Sequence, residues 1–226
     1  MSHRMLVEHV LPPHAVGEDA LGDPPADAPT GLFPVEEREI ARAGEKRRRE
    51  FTTARQCAHR ALARLGLSPT PLPPGPTGAP AWPPGITGSI THCDGYRAAA
   101  VARTADLPHL GIDAEPHAPL PPAVRDGITT PAERSHLQDL AATHPDVPWD
   151  RLLFSAKESV YKTCAPLAPR PLQFEDAEIT FSPTARTFTA HLLLPWPAGV
   201  PAPVVLGRWH TSHGILLTAA ALPRPA

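Results

Sequence analysis

Apolar and polar positions alternate most cleanly over residues 110–115. Leu110, Ile112 and Ala114 fall on one side of an extended chain, Asp113 and Glu115 on the other. The pattern predicts a strand with one apolar and one acidic face. Pro116 cannot donate to a sheet ladder, so the strand is expected to end there, at an edge or a cleft mouth. Residues 89–93 and 96–102 read as a hairpin turning at Asp94-Gly95, a strong tight-turn pair. Further strands are expected over 177–181, 188–194, 204–210 and 215–221, the last two joined around Ser212-His213-Gly214. A short strand is expected over 5–10.

Helical periodicity takes over in two long stretches. Over 34–65 the acids Glu36, Glu37 and Glu39 come early, where a helix dipole favours them, and Gly44 marks a break. Phe51, Ala54, Ala58, Leu62 and Leu65 then recur at three- and four-residue steps, and Gly66 is a stop. Over 149–163, Leu152, Leu153, Phe154, Ala156, Val160 and Tyr161 fill one broad apolar arc. Lys157 falls inside that arc, so it either snorkels out or projects into a cleft where an anion waits. Glu158 and Lys162 lie at the arc's edge, spaced i, i+4, where they can pair. A third helix is expected to begin at Pro131 and run through Leu140. Residues 12–34, 68–88, 118–130 and 164–175 read as loops.

The first half of the chain thus holds a long helix followed by a hairpin, and the second half repeats that order. This echo predicts an α+β fold: a pseudo-two-fold arrangement of two similar halves, 1–107 and 108–226, each with a small, mostly antiparallel sheet and a long helix. The acidic strand opens the second half, close to the seam. With 226 residues there is length for one large domain or two small ones.

Composition adds limits. Proline is abundant, 32 residues, which fits long, stiff connections between short elements. The net charge of −2 and the scarcity of aromatic residues argue against a nucleic-acid or membrane-surface protein. Three cysteines, Cys57, Cys93 and Cys164, without a C-x-x-C, are expected to be reduced thiols of a cytoplasmic protein. No apolar run approaches the ~20 residues of a membrane helix, and the N-terminus shows no signal-peptide core.

Three groups carry candidate chemistry. Asp113 and Glu115 repel each other on one strand face, and a hard divalent cation such as Mg²⁺ relieves that by taking one or two carboxylates plus substrate phosphates. The run Lys46-Arg47-Arg48-Arg49 and Arg55 put several guanidinium groups on one helix flank, with Arg48 and Arg55 within about 20° and Arg47 about 80° from Arg55. That flank is either solvated or grips phosphate, for which the planar fork of arginine is suited. Thr91 and His92, before the hairpin turn, offer a hydroxyl and an imidazole at a strand end. Glu158 suits a metal ligand, a general base, or both.

Four segments in order resemble the 4′-phosphopantetheinyl transferases: 51–58, 89–93, Gly111-Ile112-Asp113-Ala114-Glu115, and Phe154-Ser155-Ala156-Lys157-Glu158-Ser159-Val160-Tyr161-Lys162. The similarity spans roughly residues 35–221. It is greatest to the surfactin-type monomeric branch, including enterobactin-synthetase-component-D-like and actinobacterial members. The resemblance implies transfer of the phosphopantetheine arm of coenzyme A to a serine of an apo acyl or peptidyl carrier protein of fatty-acid, polyketide or nonribosomal-peptide assembly, with release of adenosine 3′,5′-bisphosphate. It implies a monomer with coenzyme A between its halves. Asp113, Glu115 and Glu158, with the backbone of Ala114, are implied to face Mg²⁺, or Mn²⁺ in its place. Arg47, Arg55 and His92, with Thr91 beside it, are implied at the 3′-phosphate and neighbouring phosphates, and Lys157 at the pyrophosphate. Tyr161, Lys162 and Leu172 are implied near the pantetheine arm, and Gly75 and Thr77 in the coenzyme A site. Relatives carry lysines in the loop corresponding to 74–78. Here that loop has no cation, and the arginine flank is expected to do its work.

Two other readings use the same residues: a Mg²⁺-dependent nucleotide phosphohydrolase, and a non-enzymatic carrier-protein- or nucleic-acid-binding module. An assay with coenzyme A, Mg²⁺ and an apo carrier domain, read by intact mass, separates all three.

Overall fold

In the computed structural model, which describes residues 5–25, 27–75, 78–168, 170–194 and 204–222, a 3₁₀ turn over Leu6–His9 precedes β1 (Val16–Leu21). Then come α1 (Pro34–Glu39), α2 (Glu45–Arg64), β2 (Ile86–Cys93), β3 (Tyr96–Arg103) and β4 (His109–Pro116). The rest is α3 (Pro122–Ile128), α4 (Pro131–Thr143), α5 (Trp149–Cys164), β5 (Ala177–Ser182), β6 (Thr187–Leu192), β7 (Val204–Ser212) and β8 (Ile215–Leu222). The strands form two antiparallel sheets, ordered β1-β3-β2 and β4-β8-β7-β6-β5. Helix α2 covers the first sheet, and α5 covers the second. The fold is α+β with two small sheets, as the echo in the sequence implied.

Three local expectations give way to the structure. Residues 5–10 form a 3₁₀ turn, not a strand, with Leu6, Val7 and Val10 buried. The expected loop 12–34 contains β1, which pairs with β3 from Val16↔Val101 to Leu21↔Tyr96. Its sequence, VGEDAL, has no clean alternation, and the strand exists because β3 supplies a ladder. The expected loop 118–130 contains α3, started by Pro122 in the first turn. The break at Gly44 is real: its extended backbone opens α2.

The two sheets meet edge to face. Strand β4 ends its sheet, so the N–H groups on its outer edge lack a ladder partner and need another acceptor. Side chains of β2 provide it. Ile112 N donates to Ser89 Oγ at 3.1 Å and Ala114 N to Thr91 Oγ1 at 3.0 Å. The two-residue spacing on each strand is the pleat repeat, so two hydroxyls match two N–H groups in register.

An apolar seam lies behind this contact. Leu110, Ile112 and Ala114 of β4 and Ile215, Leu217 and Ala219 of β8 pack against Ala98, Ala100 and Ala102 of β3 and the residues around the first turn. Burying a side chain such as Ile112 contributes about 1.5–3 kcal/mol. The alanines of β3 let the sheets approach closely. The apolar face of the acidic strand therefore joins the two sheets, and its acidic face is turned toward α5.

Candidate functional site

Gly111 sets how close α5 comes to β4. A Cβ there would lie 2.1 Å from the Ser159 carbonyl oxygen and 2.6 Å from Thr163 Oγ1. Only a bare position lets the helix lie against the strand, and that approach sets Glu158 and Lys162 beside Asp113.

Lys162 Nζ donates to Asp113 Oδ1 at 2.7 Å and to Ile112 O at 3.0 Å. Sequence spacing allowed it to pair with Glu158, and the family resemblance implied a place near the pantetheine arm; in the structure its hydrogen bonds go to the acidic strand. Thr91 Oγ1 also donates to Asp113 Oδ1, at 3.2 Å. Both donors occupy one oxygen. Asp113 Oδ2 is buried and has no hydrogen-bond partner among the described residues.

Lys157 corrects an expectation. It is fully buried and does not reach the acids. Its ammonium donates to Glu133 Oε2 at 2.9 Å, Ile128 O at 2.8 Å and Phe174 O at 2.7 Å. The apolar arc of α5 is packed in the core, so a charge inside it needs an acid there. Glu133 supplies it while accepting from Thr130 N and Ile179 N. Burial lowers the lysine pKa and Glu133 opposes that. With every ammonium proton committed, Lys157 has no donor left for a diphosphate.

The carboxylates do not form a ready triad. Among the described residues no group of three His, Cys, Asp or Glu side chains is arranged to hold an ion. Glu115 Oε2 is taken by Arg151 Nη1 at 2.8 Å, and the same guanidinium holds Ala118 O and Pro119 O. The N–H of Ala114 is taken by Thr91. Burial pushes the Glu115 pKa up, Asp113 pushes it further, and Arg151 opposes. Burial likewise raises that of Glu158, followed by repulsion from Asp113, with Lys162 opposing. A partnerless buried oxygen on Asp113 and two acids raised by burial and then by its charge fit one hard cation that takes one or two carboxylates and completes its shell with phosphate oxygens.

A cleft of about 360 Å³ opens alongside, lined by Arg47, Phe51 and Arg55 of α2, His92 of β2, Lys162 of α5 and the loop Gly78-Ala79-Pro80. Arg47 Nη1 lies 3.0 Å from His92 Nε2. Burial lowers the His92 pKa, Glu50 opposes, and Arg47 adds to the lowering, so a neutral ring accepting from Arg47 is the state that fits. Arg55 is buried to 4% side-chain exposure and lies 4.7 Å over the Phe51 ring. Among the described residues its Nε has no partner, and Nη2 reaches only Glu39, at 3.5 Å.

The structure thus gathers Arg47, Arg55, His92 and Lys162 along one cleft, with Asp113 bound to Lys162. Other expected residues fall elsewhere. Thr91 spends its hydroxyl on β4 and Asp113. Gly75 sits in a small loop, its N–H donating to Ala79 O at 2.7 Å. Leu172 packs on the core under α5, and Tyr161 donates to Gln173 O. Thr77 lies outside the described residues. Arg48 turns back to Ala41 O and Ala43 O.

Sequence reading missed Glu133, Arg151 and Glu39. Glu133 was legible: Thr130-Pro131-Ala132-Glu133 has capping-box spacing, and the box forms. The contacts of Arg151 and Glu39 span distant segments and left no local signal.

Residues 35–102 match the 4′-phosphopantetheinyl transferase N-terminal domain family, and residues 109–202 match the 4′-phosphopantetheinyl transferase superfamily. The chain is 52% identical over 223 residues to the 4′-phosphopantetheinyl transferase Svp of Streptomyces mobaraensis, spanning 98% of this chain and 91% of that one. It is 44% identical over 226 residues to the 4′-phosphopantetheinyl transferase PptT of Mycobacterium tuberculosis, spanning 96% and 98%. Enterobactin synthase component D of Salmonella typhimurium is 33% identical over 182 residues, spanning 78% and 72%.

Proposed function

The chain belongs to the 4′-phosphopantetheinyl transferase superfamily and is an enzyme of that class; on that premise we propose that it moves the phosphopantetheine arm of coenzyme A to a serine hydroxyl of an apo acyl or peptidyl carrier protein, with Mg²⁺, and releases adenosine 3′,5′-bisphosphate. It acts as a monomer in the cytoplasm, with 1–107 and 108–226 as its two halves. No helix among the described residues is long and apolar enough to cross a membrane.

One observation carries the reading: three cations, Arg47, Arg55 and Lys162, line a cleft with the His92 imidazole, beside an acid with an unclaimed buried oxygen. Coenzyme A carries a 3′-phosphate on its adenosine and a diphosphate that joins the adenosine to the pantetheine arm, and a lane of phosphate-binding side chains suits both groups. Elements of both halves build the cleft, α2 and β2 from one side and α5 from the other, which supports a site complete within one chain.

In this reading Arg47, Arg55 and His92 bind the phosphates of the adenosine end, and Lys162 the diphosphate. Asp113, through Oδ2, and Glu115 would hold Mg²⁺, which when bound draws charge from the diphosphate and stabilises the departing phosphate. Glu158 takes the serine proton. A carboxylate raised by burial and by Asp113 is a better proton acceptor than an exposed one.

The test is incubation with coenzyme A, Mg²⁺ and an apo carrier domain, read by intact mass. The carrier should gain one phosphopantetheine group, and Glu158→Gln should fold and leave it unmodified. Full transfer by that variant removes Glu158 from the reaction. Release of phosphate or nucleotide without a carrier would favour the phosphohydrolase.

A further inference from the structure

Among the described residues, the cleft has a single acidic side chain in its lining, Glu39 at the end of α1. An acid is costly where anions are to bind, so its presence there needs a reason. Its partner is Arg55, a buried guanidinium stacked on Phe51 that among the described residues no other acid pairs with: Nε is bare, and the one ion pair is the 3.5 Å contact to Glu39. That is long for a charge-assisted hydrogen bond, which runs at about 2.7–2.9 Å. The neighbouring acid of α1, Glu36, cannot take over. It is fully buried and accepts from Phe33 N, Leu72 N and His59 Nε2. Glu39 has no such obligations beyond its contact with Arg55.

We propose that Glu39 is a placeholder anion, which offsets the charge of Arg55 in the free enzyme and yields that guanidinium to a phosphate of coenzyme A when the substrate enters. The inference rests on the coenzyme A reading of the cleft, with Arg55 at the 3′-phosphate. A guanidinium buried without any anion is strongly disfavoured, so something must stand in before substrate arrives. A stand-in held at 3.5 Å is weak enough to be displaced by a phosphate, which offers more charge and a bidentate fit to the planar fork. Two anions cannot share the guanidinium without repelling each other. Glu39 therefore lowers the affinity for the phosphate that replaces it, and the same competition favours release of the bisphosphate product.

The experiment is calorimetric binding of coenzyme A and of 3′-dephospho-coenzyme A to the wild type, Glu39→Gln and Arg55→Gln. Removing the placeholder should tighten coenzyme A roughly three- to fivefold, the scale of one partly exposed ion pair, and leave the dephospho form unchanged. Arg55→Gln should weaken coenzyme A toward the dephospho level, and Glu39→Gln added to it should then have no effect. If Glu39→Gln weakens coenzyme A, leaves it unchanged, or shifts both ligands alike, the placeholder role is wrong. If Arg55→Gln changes nothing, the cleft reading beneath it fails instead. Glu39→Ala is measured in parallel, and loss of folding in both Glu39 variants would make the residue structural and overturn the proposal.

Discussion

The hydroxyl of Thr91 bridges two sheets to fix Asp113. It accepts from Ala114 N at 3.0 Å and donates to Asp113 Oδ1 at 3.2 Å. Because the N–H claims a lone pair of the hydroxyl, its proton is free to face the carboxylate. With Lys162 on the same oxygen, Oδ2 is left bare. Thr91→Val removes both bonds at nearly constant shape and leaves a buried N–H unsatisfied. It should cost about 1–3 kcal/mol of stability and, on the proposed Mg²⁺-dependent reading, raise the Mg²⁺ concentration that transfer needs. Thr91→Ser should restore both. Thermal melting and a Mg²⁺ titration check this, and a Val variant indistinguishable from wild type would remove Thr91 from the support of Asp113.

The two lysines of α5 should separate by readout. Lys157→Ala strands a buried Glu133 and is expected to cost about 3–5 kcal/mol. Lys162→Ala loses an ion pair open to the cleft, a smaller loss, but transfer should fall sharply. Denaturant melts alongside a transfer assay settle the pair. A Lys157→Ala protein of normal stability and no activity would reverse the assignment.

Gly111→Ala tests the contact of β4 with α5. The new Cβ meets backbone at 2.1 Å, where no flexible side chain can yield. Overpacking on this scale costs roughly 1–3 kcal/mol or more, and transfer should fall as α5 is displaced from Asp113. Unchanged melting would mean that the helix has room to move.

His92 supplies a pH dependence. Its folded-state pKa lies below the ordinary imidazole value, chiefly through burial. A base with a lowered folded pKa contributes stability that is present above the unfolded pKa and lost as pH falls through the folded one. Taken from about pH 7.5 to about pH 5, the wild type should therefore lose melting temperature faster than His92→Gln. Parallel slopes would show that the imidazole does not titrate with folding.

Much of the scaffold was legible because its signals are local. The alternation 110–115, the Asp94-Gly95 turn and the stripes of α2 and α5 each report their own segment's burial, and the structure has all of them. Strand β1 and helix α3 were hidden. VGEDAL becomes a strand only when β3 lies beside it, and a seven-residue helix leaves too little periodicity to read.

By itself, the sequence determined the acids on one strand and an α+β chain with two long helices; of the arginine run, the helix wheel grouped Arg48 with Arg55, whereas the structure sets Arg47 beside Arg55 in the cleft and turns Arg48 back to Ala41 and Ala43. Which lysine faces the acids was decided only in three dimensions. Lys157 and Lys162 sit on the same helix, and the wheel leaves open which of them finds a buried carboxylate and which a cleft. Packing α4 and β5 over the apolar arc brought Glu133 to Lys157. Packing β4 against the other side, through Gly111, brought Asp113 to Lys162. A charge settles where the assembled fold offers it a partner, and contacts 24 and 49 residues away in sequence lie beyond any local pattern.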